Sequence, residues 1–265
     1  RKASELFGLI HFVFFSPEDL SIIKNGPAER RHFLDSELCQ LDKVYLYQLS
    51  NYNKVVLQRN KLLKELYLHP DYREVLDVLD MQLVQYASAL IQRRQTFAEE
   101  LGEIVHRIHS QLSGGQEEME LKYEPNVTKD AFAQMLFANR ERDMRLKTTA
   151  TGPHRDDISF VVNGVDIRKF GSQGQQRTAA LSLKLSEIEL VKRLIGDTPV
   201  LLLDDVLSEL DGRRQNYLLN SIENIQTLIT CTGLDEFVNH RFSINRIYKV
   251  TDGSVTVENK QEADR

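Results

Sequence analysis

PVLLLDDVLSELD, residues 199–211, is the stretch that decides the fold. Its apolar run at 200–203 ends in two adjacent carboxylates, Asp204 and Asp205. This pattern predicts a buried strand that carries both charges to the carboxyl edge of a sheet, where open α/β sheets bind ligands. Two carboxylates at such an edge favour a bound cation such as Mg²⁺. The alternative is a strand that ends in an aspartate capping the next helix, because an apolar strand followed by an acid is a loose pattern.

Helices and short apolar strands alternate on both sides of this stretch. The pattern predicts helices at 176–195 and 213–222 and another buried strand at 227–230. This order is typical of an α/β protein with a mainly parallel sheet. Near the start, LIHFVFF at 9–15 predicts a strand buried on both faces, which leads into a helix capped by Ser16.

The middle of the chain has the pattern of an antiparallel sheet. MELKYE at 119–124 and the segment 158–162 alternate apolar and polar residues, as half-buried strands do. Asn163-Gly164 follows and predicts a tight hairpin. Between the two strands, a helix fits from after Thr128 to about Lys147.

Two apolar stripes spaced by three and four residues predict a long helical hairpin. The first spans 34–66, with polar Gln48 and Arg59 in two of its slots, and stops at 69–70, where Pro70 ends a helix. The second spans 76–112. We expect an antiparallel coiled-coil arm. A helical subdomain of a globular protein is the alternative, because this number of heptads is near the minimum for the assignment.

A polar turn precedes the most regular helix. In FGSQGQQRTAALSLKL, at 170–185, a serine hydroxyl and bare backbone N–H groups of 172–175 stand at a helix N-terminus. Outward-pointing donors and the positive end of the helix dipole favour a phosphate there. An ordinary serine-capped helix is the alternative.

The string LSGGQ, the usual signature of ATP-binding-cassette ATPases, occurs at 112–116. Leu112 is the last member of the second helical stripe, so the string lies at a helix C-terminus, where free carbonyls and the negative dipole end repel phosphate. Gly114 fits a left-handed helix cap, and Glu117, Glu118 and Glu120 add negative charge. We expect a turn here and no nucleotide contact.

Net charge, cysteine content and the length of the apolar runs limit the class of protein. The 265 residues carry a net charge of −5, so any contact with nucleic acid has to come from a local basic patch. The two cysteines, Cys39 and Cys231, suggest neither a disulfide framework nor a zinc site and favour a reducing compartment, with the cytoplasm as the default. The sequence predicts no membrane span and no signal peptide, and its start predicts a cut within a longer protein.

Four segments together resemble the RecF family of bacterial recombination and replication-repair proteins. They are SPEDL with RRHFLD at 30–35, TGPHRDD at 151–157, FGSQGQQRTAALSLKL, and PVLLLDDVLSELD. The resemblance implies an α/β fold: an ABC-type ATPase head, related to those of SMC and Rad-fifty proteins, with an inserted antiparallel helical arm. On this plan, 1–24 ends the first half of the head, 25–115 is the arm, and 116–265 is the second half.

The same resemblance implies a site for ATP and Mg²⁺ that two copies share head to tail. Asp204 stands at the magnesium carboxylate, acting through water, and Asp205 at the catalytic carboxylate. The ABC signature would act on the nucleotide held by the other copy. The residues at the signature and the D-loop are Ser172, Gln173, Gly174, Gln175, Ser208 and Asp211.

Three departures from the family pattern limit this assignment. No GxxxxGK[ST] loop occurs, so we expect the head to lack its N-terminal part and this chain alone to be inactive and to bind ATP weakly. SPEDL stands at the Q-loop position but holds no glutamine. Thr230 and Thr232 lie where many relatives have a switch histidine, so no histidine role is assigned.

The function implied by resemblance is that of a weak DNA-stimulated ATPase that forms ATP-dependent homodimers. It would recognise gapped DNA and single-strand/double-strand junctions, and act with RecR and RecO to load RecA. A non-catalytic adaptor with a partner-docking hairpin is one alternative, and another SMC-type head is a second. Basic residues that could contact DNA are Arg30, Arg31, Arg93, Arg94 and Arg155.

Overall fold

A computed structural model describes residues 10–66, 73–232 and 244–258. The helices are α1 (Leu20–Lys24), α2 (Pro27–Leu41), α3 (Lys43–Glu65), α4 (Arg73–Ser113), α5 (Phe132–Ala138), α6 (Arg140–Leu146), α7 (Ile167–Phe170), α8 (Gln173–Ile195) and α9 (Gly212–Ser221). The strands are β1 (Phe12–Phe15), β2 (Met119–Glu124), β3 (Asp157–Val162), β4 (Val165–Asp166), β5 (Val200–Asp204), β6 (Thr227–Thr230), β7 (Ile247–Thr251) and β8 (Ser254–Glu258). Within these residues, no helix is long and apolar enough to span a membrane.

A parallel sheet forms around the stretch at 199–211. Strand β5 pairs with β1 on one side and with β6 on the other, both in parallel, as the α/β pattern predicts. The prediction that the first strand is buried on both faces is wrong. Val13 and Phe15 are buried, but Phe12 and Phe14 are 43% and 47% exposed. Helix α8 packs against β1, and within the described residues the opposite face of this strand lies open.

A second, antiparallel sheet has the order β2-β3-β4. Asn163 and Gly164 join β3 to β4 with φ angles of 48° and 80°, the left-handed geometry that a tight hairpin requires, so the hairpin prediction is confirmed. The single helix predicted between β2 and β3 is divided at Asn139 into α5 and α6. Strands β7 and β8 form a further hairpin, which is not among the elements predicted from the sequence.

The two helical stripes correspond to three helices. Asp42 interrupts the first stripe: its backbone is extended, and its carboxylate accepts the backbone N–H groups of Val44 and Tyr45, so α3 begins with its own cap. The expectation of one continuous first helix is therefore wrong. Helices α3 and α4 do pack together. The predicted turn at 69–70 lies outside the described residues.

Helix α4, with 41 residues, packs against more than its hairpin partner. At 1.5 Å per residue it is about 60 Å long. Arg94 of α4 donates to Tyr45 of α3, whereas His109, farther along, contacts Ser182 of α8. Helix α4 also packs against β2. Helix α4 is therefore one continuous helix that connects the helical region to the α/β region.

Arg59 is fully buried between three helices. It donates from α3 to Asp80 of α4 and to Asp143 of α6, in both cases at 2.6 Å. The hydroxyl of Thr149 accepts a further bond at 3.0 Å. Asp80 also pairs with Arg140. Arg59, a polar residue within the first apolar stripe, is thus the centre of an internal ion-pair network.

Arg59→Ala is expected to lower the free energy of unfolding by about 3–5 kcal/mol, because breaking one side of a buried ion pair leaves an uncompensated charge. Asp143 would lose its cation, and Asp80 would retain only Arg140. Urea unfolding followed by circular dichroism measures the change. The control Arg142→Ala, at an exposed position of α6, is expected to change stability by less than about 0.5 kcal/mol. Equal effects of the two substitutions would contradict the assignment.

Candidate functional site

The N-terminus of α8 presents free hydrogen-bond donors to solvent. Ser172 is the N-cap: its Oγ accepts the backbone N–H of Gln175 at 3.2 Å, and Gln175 Oε1 accepts the backbone N–H of Ser172 at 3.0 Å. Among the described residues, no acceptor is found for the N–H groups of Gln173 and Gly174, and both residues are exposed. A capped helix with two free N–H groups and the positive dipole end is suited to bind an anion.

Asp204 and Asp205 lie at the carboxyl end of β5, as predicted. The hydroxyl of Thr230, in the neighbouring strand β6, donates to the exposed Asp204 carboxylate at 2.5 Å. Asp205 has a φ of 51°, in the left-handed region, and its N–H lies 3.2 Å from both oxygens of Thr230. The role of Thr230 in orienting Asp204 was missed, although the pairing of two parallel strand ends indicates it.

The segment after β5 is tied to α8. Ser208 Oγ donates to the carbonyl of Asp205 at 2.9 Å, and Asp211 caps α9 by accepting the backbone N–H of Arg214 at 3.0 Å. The Arg214 guanidinium donates to Thr178 Oγ1 of α8 at 2.5 Å. An exposed ion pair of 2.9 Å between Arg177 and Glu209 adds a second link. The predicted D-loop is therefore held against the first turns of α8.

The two groups of predicted ligands do not touch one another. In the described part of the chain, no hydrogen bond or ion pair joins residues 172–175 to Asp204 or Asp205, and no basic side chain pairs with either aspartate. Mg²⁺ commonly takes one or two carboxylates and completes its shell with water and substrate phosphates. An exposed Asp204, oriented by Thr230 and without a competing cation, fits that requirement.

LSGGQ at 112–116 forms a turn, as predicted. Helix α4 ends at Ser113, and Gly114 and Gly115 follow with φ angles of 70° and 78°. The N–H of Gly115 donates to the carbonyl of Ser110 at 2.7 Å, which closes the helix end. The turn lies beside the candidate signature, because Glu117 accepts a hydrogen bond from Gln175 at 2.9 Å. No pattern in the sequence indicates this contact.

Two of the five candidate DNA-contacting arginines lie inside the protein. Arg94 is 2% exposed and pairs with Asp35 at 2.7 Å and with Asp156 at 2.9 Å. Arg30 is 3% exposed and pairs with Asp157 at 2.5 Å. Their guanidinium groups cannot reach a phosphate backbone in this arrangement, so the expected DNA contact is wrong for these two.

The remaining three arginines differ in their surroundings. Arg31 is half-buried and donates to the carbonyl of Asp156 at 2.8 Å. Arg93 is half-buried and pairs with Asp42 at 3.2 Å. Arg155 is exposed, and no partner for it is found within the described ranges.

The loop that carries Arg155 is held by buried polar contacts. His154 Nδ1 lies 2.6 Å from the Tyr52 hydroxyl, and its Nε2 lies 2.9 Å from the carbonyl of Thr149. Burial lowers the pKa of His154, so the ring is neutral at neutral pH. Asp156 and Asp157 are engaged with Arg94 and Arg30, and within the described residues neither pairs with Arg155. Arg155 is therefore displayed on a fixed loop.

Comparison with known proteins gives the family. No protein-family model matches the chain. The DNA replication and repair protein RecF of Agathobacter rectalis is 62% identical over 257 residues, which cover 97% of the chain and 71% of that protein. RecF of Lachnospira eligens is 59% identical over 261 residues, which cover 98% of the chain and 72% of that protein. The chain belongs to the RecF family.

A solved structure supports the same assignment of this RecF-family chain. The recombination mediator protein RecF-ATPrS of the RecFOR pathway matches with a TM-score of 0.88 and 35% identity, covering 97% of the chain and 70% of that protein. The Smc head domain of Pyrococcus furiosus matches with a TM-score of 0.50 and 14% identity, covering 96% of the chain and 63% of that protein, and shows the fold alone. The fold is that of an ABC-type ATPase head, as predicted.

Gly174→Ala is expected to raise the free energy of unfolding by about 0.4–1 kcal/mol, because alanine restricts the unfolded chain. There is room for the methyl group, since its nearest neighbour would be Ser172 Oγ at 3.9 Å. Gly171→Ala is the matched comparison and is expected to destabilise, because its methyl group would lie 2.6 Å from the carbonyl oxygen of Ile167. Denaturant midpoints measure both changes. A similar loss in both variants would contradict an open α8 N-terminus.

Proposed function

We propose that this RecF-family chain is part of a DNA-binding ATPase that dimerises with ATP and acts in recombination and repair. It recognises gapped DNA and single-strand/double-strand junctions and, with RecO and RecR, helps load RecA. Residues 1–24 and 116–265 form the two parts of the head, and 25–115 form the arm. The observation that carries the proposal is the capped, solvent-facing N-terminus of α8, with free N–H groups at Gln173 and Gly174.

In this proposal, the α8 N-terminus binds the γ-phosphate of an ATP held by a second copy. Ser172 contributes its hydroxyl, and Gln173 and Gly174 contribute backbone N–H groups, which suit a multiply charged anion. Gln175 holds the cap in place through its two bonds with Ser172. Within the described residues no hydrogen bond joins 172–175 to Asp204, which fits a site in which each copy supplies one side of the nucleotide.

Asp204, which ends β5, and Asp205, which follows it, provide the other side of this shared site. Asp204 would hold Mg²⁺ through water, and a bound ion would supply positive charge that neutralises developing phosphate charge. Asp205 orients the attacking water and accepts its proton. Ser208 and Asp211 lie in the D-loop beside α8, where Arg214 and Glu209 tie the loop to that helix. ATP then acts mainly by joining two heads, and slow DNA-stimulated hydrolysis releases them.

DNA contact is proposed for Arg155, with Arg31 and Arg93 as secondary contributors. With a net charge of −5, the chain has no bulk attraction for a phosphate backbone, so a displayed guanidinium on a fixed loop carries more weight. Arg155 meets this condition best, because it is exposed whereas Arg31 and Arg93 are half-buried and engaged.

In the full-length protein, Ser172→Arg is expected to abolish ATP-dependent dimerisation, because its long cationic side chain would fill the space in front of α8. Asp205→Asn is expected to preserve dimers and to lower turnover by at least about 10²-fold, the usual contribution of a general base. Asparagine tolerates the left-handed backbone at this position, so the fold is unaffected. Analytical ultracentrifugation and phosphate release measure the two properties.

Ser50→Arg makes the same chemical change at an exposed position of α3 and serves as the control. It is expected to leave both dimerisation and turnover unchanged. Normal ATP-driven dimers from Ser172→Arg would overturn the assignment of the signature. Unchanged turnover in Asp205→Asn would remove the catalytic role of Asp205 while leaving the phosphate site intact.

Arg155→Gln is expected to weaken DNA binding to a similar extent for different sequences. The slope of log K against log salt concentration should fall by about 1, because one phosphate contact is lost. Fluorescence anisotropy with gapped DNA over a salt series measures both quantities. Arg142→Gln, at an exposed position of α6, is the control and should change neither. An unchanged slope in Arg155→Gln would exclude this phosphate contact.

A further inference from the structure

The carboxylate of Glu117 bridges two parts of the molecule. One oxygen, Oε1, accepts from Nε2 of Gln175 at 2.9 Å, and the other, Oε2, lies 3.0 Å from Nε2 of His109. Gln175 is the third residue of α8, and His109 lies near the end of α4. The Glu117 carboxylate therefore connects the C-terminal part of α4 to the predicted signature at the N-terminus of α8.

The position of Glu117 is fixed by the turn at 112–116. Ser113 Oγ lies 3.2 Å from the backbone N–H of Glu117 and 3.3 Å from its carbonyl oxygen, so the residue is held on both sides. The guanidinium of Arg213 lies against Gly114, where a Cβ would come within 2.8 Å of it. The Tyr217 hydroxyl donates to Gln111 at 2.6 Å. The turn is thus packed against α9 as well as α8.

His109 holds the far side of the bridge. Its ring is completely buried, and Nδ1 lies 3.0 Å from Ser182 Oγ of α8. Burial lowers the pKa of His109, and Arg214 and His106 lower it further, whereas Glu117 opposes the shift. The ring is therefore neutral at neutral pH. Because a carboxylate only accepts, Nε2 carries the proton of the neutral ring and donates to Glu117; Nδ1 then lies as an acceptor beside the Ser182 hydroxyl, whose other acceptor is the carbonyl of Thr178 at 2.7 Å.

We propose that Glu117 and His109 are positioning residues for the signature at the α8 N-terminus. Gln175 is the residue through which they act, because its side chain is shared between the Glu117 carboxylate and the backbone N–H of Ser172. Without Glu117, the Gln175 side chain keeps only its bond to the Ser172 N–H, so the cap loses the contact that anchors it to the turn at 112–116 and its residues are held less firmly. This inference rests on the proposed function of residues 172–175.

The test compares Glu117→Ala with Glu117→Gln in the full-length protein. Glu117→Ala is expected to raise the ATP concentration for half-maximal dimerisation by about tenfold, the effect of losing a hydrogen bond to a charged group. Glu117→Gln is expected to stay within about twofold of the parent, because the introduced amide oxygen still accepts from Gln175. The introduced NH₂ group then donates to His109, which has to change tautomer.

This tautomer change gives a spectroscopic readout. In ¹⁵N NMR, the proton of His109 should lie on Nε2 in the parent protein and on Nδ1 in Glu117→Gln. The side-chain amide resonances of Gln175 should shift in Glu117→Ala and remain close to the parent values in Glu117→Gln. If Glu117→Ala does not fold, the tautomer in Glu117→Gln decides the question, since an unchanged Nε2 proton overturns the bridge.

Two further variants separate this inference from the proposed function. Glu118→Ala removes an exposed neighbouring carboxylate and should leave dimerisation unchanged. If Ser172→Arg abolishes dimerisation while Glu117→Ala leaves the ATP dependence unchanged, the positioning role falls and the signature stands. If Ser172→Arg dimerises normally, the proposed function is overturned. The Gln175 amide resonances then test the contact between Glu117 and Gln175 separately: if they do not shift in Glu117→Ala, that contact is overturned as well.

Discussion

A buried guanidinium near the middle of α4 sets how three segments of the chain are arranged. Arg94 pairs with Asp35 in α2 and with Asp156 in the loop before β3. Removing such a charge from water costs several kcal/mol unless it is paired, so the burial of Arg94 requires a carboxylate partner, which α2 and the loop before β3 supply. Asp156 also accepts the Tyr123 hydroxyl and the backbone N–H of Asn126, which fixes the antiparallel sheet to the same point.

Several regular elements could be predicted because they depend on neighbouring residues. The parallel strands follow from short apolar runs, the β3–β4 turn from Asn163-Gly164, and the end of α8 from Gly196, which has a φ of 73°. The interruption at Asp42 depends on a capping contact inside a continuous apolar stripe, and periodicity does not detect it. The role of Arg59 was hidden for another reason: Asp143 lies 84 residues away along the chain.

The candidate site was only partly accessible from the sequence. Capping chemistry located Ser172, and the strand-then-acid pattern located Asp204, because each depends on a few adjacent residues. The roles of the basic residues were harder to predict, because the local sequence does not indicate whether a guanidinium is solvated or buried. Arg94 and Arg155 have the same side chain, yet one holds the core together and the other is displayed on a loop. Only long-range pairing distinguishes them.

Helix polarity explains why LSGGQ at 112–116 is unsuited to bind an anion. The string ends α4, where carbonyl groups point outward, whereas Ser172 begins α8, where N–H groups point outward. The fold nevertheless brings the two segments into contact through Glu117 and Gln175. A negative charge placed directly before the free N–H groups would compete with phosphate. The two carboxylate oxygens of Glu117 instead contact the His109 ring and the Gln175 side chain. The N–H groups of Gln173 and Gly174 therefore stay open to an incoming anion.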